Sequence, residues 1–260
     1  MPDLIEPSTD RELGDLPQKG SWKQRVRSTA AVIPVGSVVY PFDNRDRRAA
    51  EQYRIARTKI LHHPDTPRMV AVTSPQTRDG KSVTALNLAG ALALKDNHSV
   101  LLVDADLRRS SLAGLLGLPS FPGLEEVLRG QCSLADAVLR VDLTPVIYLL
   151  PAGGRTRQPV ELFDSVYWPR ICAQIRSEFD HVVIDTTPIG VVADYELIER
   201  VVDGVIVVVR PDHTDRTVCL AALQSISRDK LLGVITNCVP ERFNGGTGYH
   251  AYDYYRSPHD

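Results

Sequence analysis

No apolar run in this 260-residue chain approaches the roughly 20 residues that a membrane-spanning helix needs. Charge of one sign is also missing. The 30 Lys and Arg against 32 Asp and Glu leave a net charge of −2, so no global basic field draws nucleic acid or a membrane surface. Cysteine is scarce: Cys132, Cys172, Cys219 and Cys238 are scattered without metal-ligand spacing and read as buried free thiols in a reducing compartment. The opening MPDLIEPSTDRELGD is acidic and lacks the basic-then-apolar pattern of a signal peptide, so a cytoplasmic protein is expected. A hydrophobic content of 43% supports a sizeable core, and the length suits one α/β domain with tails.

The stretch Val70–Asn87, VAVTSPQTRDGKSVTALN, organises the rest. Met69–Val72 reads as a buried strand, Thr73–Gly80 as a polar loop, and Lys81 to about Leu94 as a helix with Val83, Leu86, Leu88, Ala91, Leu92 and Leu94 on its apolar side. Strand, loop, Gly-Lys-Ser and helix are the parts of a phosphate-binding loop. Unpaired amides and the helix dipole favour an anion at such a helix start. Lys81 is placed to reach terminal phosphates, and the Ser82 hydroxyl to bind Mg²⁺. The full pattern G-x-x-x-x-G-K-[ST] requires glycine where Pro75 stands, and a surface turn leading into a core helix gives the same local pattern.

Residues 1–44, with Pro2, Pro7, Pro17, Pro34 and Pro41, read as a flexible arm carrying a solvated basic group, Lys19, Lys23, Arg25 and Arg27. Within it, Ala30–Tyr40 is apolar enough to lie extended against the domain. The domain itself is set at residues 45–243, and 244–260 as a flexible tail. Residues 46–63 read as a helix with Tyr53, Ala56, Ile60 and Leu61 on its apolar side. Glu51, Arg54 and Arg57 fan along one flank at three-residue steps, the ordinary pattern of a charged face with internal ion pairs.

Ser99–Val103 is a second buried strand and runs into Asp104-Ala105-Asp106-Leu107-Arg108. Two residues apart on extended backbone, Asp104 and Asp106 would share one face. Residues 110–140 read as mostly helical, Val146–Leu150 as a short strand, and Gln158–Phe163 and Arg170–Glu178 as helical. His181–Ile184 is a strand ending at Asp185, the apolar-strand-plus-Asp pattern that holds Mg²⁺ directly or through water. Asp194 reads as the cap of the next helix. Val205–Val209 and Leu232–Ile235 complete the strands, with a helix over Asp215–Ser227 between them. Continuous apolar strands alternating with helices predict an α/β fold: a doubly wound, mostly parallel sheet flanked by helices. Three strand ends, DGKS, DADLR and DTTP, then meet on the ligand edge of one sheet.

Taken together, Ser74–Ser82, LLVDADLR (Leu101–Arg108) and VVIDTTP (Val182–Pro188) resemble the bacterial tyrosine kinases, P-loop enzymes with the fold of the partition and cell-division ATPases. The likeness spans roughly residues 46–240 and includes PGLEEVLRG and LPAGGRTRQPVELF. It implies ATP and Mg²⁺ as cofactors. It implies nucleotide binding by Thr77, Arg78, Asp79, Gly80, Lys81, Ser82, Val83 and Arg108. Catalysis would fall to Lys81, Asp104, Asp106 and Asp185, with Mg²⁺ near Ser82 and the same aspartates. Either Asp104 or Asp106 would be the base for a tyrosine hydroxyl. Two roles fit Arg108: countering phosphate charge, or pairing with the aspartates. Glu51, Arg54 and Arg57 resemble the family's oligomerisation motif, implying a ring of copies. Tyr249, Tyr252, Tyr254 and Tyr255, four of the nine tyrosines, follow the hinge Asn244–Gly248 and would be the phosphoacceptors.

The resemblance further implies a membrane activator with a cytosolic tail, recruitment to the inner face of the plasma membrane, a role in capsule or exopolysaccharide production, and a protein-tyrosine phosphatase as the opposing partner. The chain departs from the family at Arg78, where a glycine is usual, and carries Gln76 where partition ATPases place a second lysine. Two other readings remain: a partition- or division-type ATPase, and a non-catalytic nucleotide-binding adaptor of a polysaccharide export complex.

Overall fold

The structure, a computed structural model, describes residues 22–33, 39, 41, 46–154 and 156–239. Among the described residues eight strands form one sheet: β1 (Arg27–Thr29), β2 (Met69–Thr73), β3 (Val100–Asp104), β4 (Leu139–Val141), β5 (Ile147–Leu150), β6 (His181–Asp185), β7 (Gly204–Val209) and β8 (Leu231–Thr236). The helices are α1 (Arg47–Leu61), α2 (Lys81–Ala93), α3 (Leu112–Leu115), α4 (Leu124–Leu128), α5 (Leu134–Ala137), α6 (Pro159–Phe163), α7 (Tyr167–Glu178), α8 (Asp194–Glu199) and α9 (Arg216–Ser225). The strand order is β1-β4-β5-β3-β6-β2-β7-β8, and every neighbouring pair is parallel except β4–β5.

Successive strand residues feed opposite cores, which is why the strands read as unbroken apolar runs. Met69 and Ala71 of β2, Leu101 and Val103 of β3, and Val205 and Val207 of β7 enter one cluster with Trp168, Ile171 and Ile175 of α7. Val70 and Val72, Val100 and Leu102, and Ile206 and Val208 enter the other, with Leu86, Leu88 and Leu92 of α2 and Ile60 of α1. A sheet covered on both faces has no solvated side to demand alternation.

Two short strands depart from the expectation. The arm expected over residues 1–44 is docked from Trp22 to Ile33: Trp22 is buried edge-to-face on Phe179, 5.8 Å between centroids, and β1 pairs with β4. An indole offers too much apolar surface to remain solvated. The Val32 amide donates to the Leu116 carbonyl, while residues 34–38 and Tyr40 of the segment expected to lie extended fall outside the described residues. Strand β4 begins inside the stretch read as helical and ends one residue beyond it. Its three residues, with Leu139 and Val141 inward, are too few to show a period of two. The thiols also differ from the expectation of uniform burial: Cys172 is buried, Cys132 and Cys219 are half-buried, and Cys238 is exposed. Among the described residues no helix is long and apolar enough to cross a membrane.

Candidate active site

Strands β2, β6 and β3 lie side by side in the sheet, so their C-terminal ends bring the phosphate loop, Asp185 and Asp104 together. Gly80 caps α2 at φ 94, and a Cβ there would overlap the side-chain amide of Asn237. Only glycine combines that left-handed backbone with that close approach. Arg78 is also left-handed, φ 68, and its side chain is exposed. That conformation costs a non-glycine residue roughly 1–2 kcal/mol. Arg78→Gly is therefore expected to retain or increase nucleotide affinity in an equilibrium titration. A marked loss would make the guanidinium a phosphate ligand.

Lys81 is the electrostatic centre of the site. Its ammonium lies 3.0 Å from Asp106 Oδ2, 3.4 Å from Asp185 Oδ1 and 3.3 Å from the Ser82 hydroxyl, with the residue only 9% exposed. Burial pushes its pKa down, but Asp185, Asp106 and Asp104 outweigh burial and hold it above the ordinary lysine value. The same burial, with the Asp185 charge alongside, pushes Asp104 up to about 7 against two backbone amides that stabilise its ionised form. Asp185 is pushed up by burial and by Asp106, against Lys81 and a hydrogen bond from Ser82.

Leu101, Val103, Ala105 and Leu107 all feed one apolar cluster, which leaves Asp104 and Asp106 on the other side, both near Lys81. Strand β3 ends at Asp104, whose Oδ2 accepts from the Ser111 and Leu112 amides at 3.0 and 3.1 Å. The chain then turns, and Asp106 Oδ1 accepts from the Arg109 amide while Oδ2 meets Lys81. Among the described residues no group of three or more His, Cys, Asp or Glu is arranged to hold a metal directly, and Lys81 sits among Asp104, Asp106 and Asp185. The remaining donors do fit Mg²⁺. Asp104 Oδ1 and Asp185 Oδ2 are buried with no hydrogen-bond partner, and Ser82 stands beside Asp185. Mg²⁺ characteristically takes one or two carboxylates and fills its shell with phosphate and water.

Arg108 pairs with an aspartate, but the partner is Asp194: Nε and one terminal nitrogen reach its two oxygens at 2.8 and 3.1 Å. Asp194 is accordingly not a helix cap. It opens α8 after Ala193, and its buried carboxylate faces Arg108. Thr77 and Arg78 are exposed at the rim, and Val83 is half-buried in the first turn of α2. The Asp79 side chain turns away from the cradle into full burial, leaving its backbone as its contribution to a ligand. Of the expected assembly residues, Glu51 and Arg54 pair with each other at 3.0 Å, and Arg57 donates to the Ala91 carbonyl of α2. Tyr249, Tyr252, Tyr254 and Tyr255 lie outside the described residues.

Asn237 went unnoticed in the sequence. It follows β8 at the same edge and donates to the Asp79 carbonyl at 2.9 Å, roofing the loop. Its signal was available: LLGVITN is an apolar strand followed by a polar residue, the same pattern that marked Asp104 and Asp185.

Residues 70–246 match the CobQ/CobB/MinD/ParA nucleotide binding domain family. Tyrosine-protein kinase CpsD of Streptococcus agalactiae serotype Ia is 31% identical over 198 residues, 75% of this chain and 84% of that protein. The chain belongs to the bacterial tyrosine kinases. The tyrosine-protein kinase YwqD of Bacillus subtilis is 33% identical over 192 residues, 72% of the kinase described here and 80% of YwqD. The solved BceF tyrosine kinase domain superposes with a TM-score of 0.68 at 27% identity, over 86% of this kinase and 92% of that chain. The doubly wound sheet and nucleotide loop of this kinase are thus those of its family.

Proposed function

We propose that this kinase transfers the γ-phosphoryl group of ATP to its own C-terminal tyrosines, Tyr249, Tyr252, Tyr254 and Tyr255, and so regulates capsule or exopolysaccharide production. The observation that carries the reading is the Lys81 ammonium at the start of α2, 3.0 Å from Asp106 and 3.4 Å from Asp185, beside two buried carboxylate oxygens without partners. Amides at the helix start receive the phosphates, and Lys81 exchanges its carboxylates for phosphate oxygens. Ser82, Asp104 and Asp185 would hold Mg²⁺, whose chemistry there is to neutralise charge on the transferring phosphate.

Departure of Lys81 leaves Asp106 without its cation. Asp106, itself buried on the turn beyond β3, has one oxygen on the Arg109 amide and the other free once Lys81 leaves, whereas Asp104 is tied to two amides. Asp106 is therefore the better placed to accept the proton of an incoming tyrosine, whose free pKa near 10 requires a base at neutral pH. Phosphotyrosine analysis and mass spectrometry after incubation with ATP test the reading. Hydrolysis without phosphotyrosine would point to a partition-type ATPase, and binding without turnover to an adaptor.

We infer that transfer runs between copies in a ring, with a membrane activator and an opposing phosphatase as partners. Glu51 and Arg54, now paired within one helix, would exchange partners across the subunit boundary. Phosphorylation adds about −1.5 to −2 charges per tyrosine and would repel the tail from an acidic site, dispersing the ring. Mixing Lys81→Met protein with the four-Tyr→Phe variant should yield phosphotyrosine on the Lys81→Met chain. An Arg54→Ala/Arg57→Ala variant should remain small in light scattering with the activator present. Normal assembly of that variant would refute the interface.

A further inference from the structure

The phosphate loop carries a strained arginine and yet holds one shape. The residues on both sides of Asp79 are left-handed, Arg78 at φ 68 and Gly80 at φ 94. Its restraint comes from outside the loop. We propose that the turn joining β7 to α9, residues 210–215, is a clamp that sets the phosphate loop, with Thr214 as a positioning residue and Asp79 as the hub it grips. The proposal rests on the nucleotide-binding role given above to this loop.

Asp79 is fully buried although it is a carboxylate, and both its carboxylate oxygens and its carbonyl are committed. Oδ2 accepts from the Gln76 amide at 3.0 Å, which closes the loop on itself. Oδ1 accepts from the Thr214 hydroxyl at 2.7 Å. The carbonyl accepts from Asn237 at 2.9 Å. Two further bonds run from the same turn to the loop: the Asp215 amide donates to Gln76 Oε1 at 3.0 Å, and His213 Nε2 lies 3.1 Å from the Thr77 carbonyl. The turn is itself braced, since Thr214 Oγ1 accepts from the Arg210 amide at 2.9 Å.

The Thr214 hydroxyl has one proton, and the arrangement spends it on Asp79. Valine at this position keeps the shape, removes the donor and leaves a buried carboxylate oxygen unsatisfied, a costly state that the loop can escape only by moving. Movement there swings the amides of Arg78, Gly80 and Lys81 out of register with a phosphate. The clamp touches no reacting atom. It shapes the cradle equally for bound substrate and transition state, which predicts an effect on nucleotide affinity with little on the rate at saturation.

The test is fluorescent-ADP titration of the full chain, with autophosphorylation rates against ATP concentration. Thr214→Val should weaken nucleotide binding about tenfold or more and raise KM for ATP in parallel, with kcat changed less than about threefold. Thr214→Ser should restore both. His213→Ala, at a side chain 38% exposed, should weaken binding by a smaller factor, and it decides the matter should Thr214→Val fail to fold. Unchanged affinity in Thr214→Val, or a Thr214→Ser variant as weak as Thr214→Val, overturns the clamp; so does unchanged affinity in His213→Ala when Thr214→Val is unfolded. A wild-type chain that binds nucleotide without forming phosphotyrosine would overturn the kinase reading and leave the titration to judge the clamp.

Discussion

Lys81→Met is expected to lower tyrosine phosphorylation by about a hundred- to a thousandfold, the usual consequence of deleting a preorganised charge aimed at a reacting phosphate. The fold should survive, because the ammonium faces Asp106 and Asp185 rather than the apolar clusters. The stability of the variant should nevertheless acquire a new pH dependence. Lys81 opposes the upward push of burial on Asp104 and Asp185, and without it these groups rise further. A carboxyl group whose pKa is raised by folding binds protons more tightly in the folded state, so stability falls as pH rises through the window between the two values. Thermal melts of Lys81→Met at pH 6 and pH 8 should therefore separate by more than those of wild type. Undiminished phosphotyrosine in this variant would refute the site.

Asp104→Asn should have opposite effects on activity and stability. Activity should fall by about a hundredfold, since one of the two open carboxylate oxygens at the site disappears. Stability of the nucleotide-free protein at pH 8 should increase. Asp104 titrates near 3.8 when unfolded and at about 7 when folded, so wild type loses stability as pH climbs from about 4 to about 7 and carries the full penalty above that. Asparagine keeps an oxygen for the Ser111 and Leu112 amides and turns an amide toward Asp185, which removes the like-charge repulsion. A melting temperature above wild type at pH 8, converging on it toward pH 4, is the expected pattern. Parallel curves at all pH values would show that Asp104 is ionised throughout.

Long apolar strands and the polar residues that end them were legible in the sequence, because a strand buried on both faces leaves a simple signature. So were the helix at Lys81 and the flank of α1. The misses share a cause: they depend on contacts between segments far apart in the chain. Strands β1 and β4 are three residues each and exist as strands only because they pair with each other and with β5. Asp194 looked like a cap because nothing local announces that Arg108, 86 positions earlier, would take its carboxylate. The amides of residues 111 and 112 that tie down the Asp104 carboxylate also come from beyond the strand. Asp79 stands in a recognisable loop, but its partner Thr214 is 135 positions away.

The order of the sheet also separates its first and last strands. Strand β1 forms one border of the eight-stranded sheet and β8 the other, seven inter-strand steps apart. At about 4.8 Å per step, that is a span of about 34 Å. The sheet thus works as a spacer between β1, at one border, and β8, at the other. A donor dye at Ser28 and an acceptor at Thr236 of one chain would mark that width as a fixed internal ruler. Shorter transfer distances seen in an assembly of singly labelled chains would then belong to neighbours.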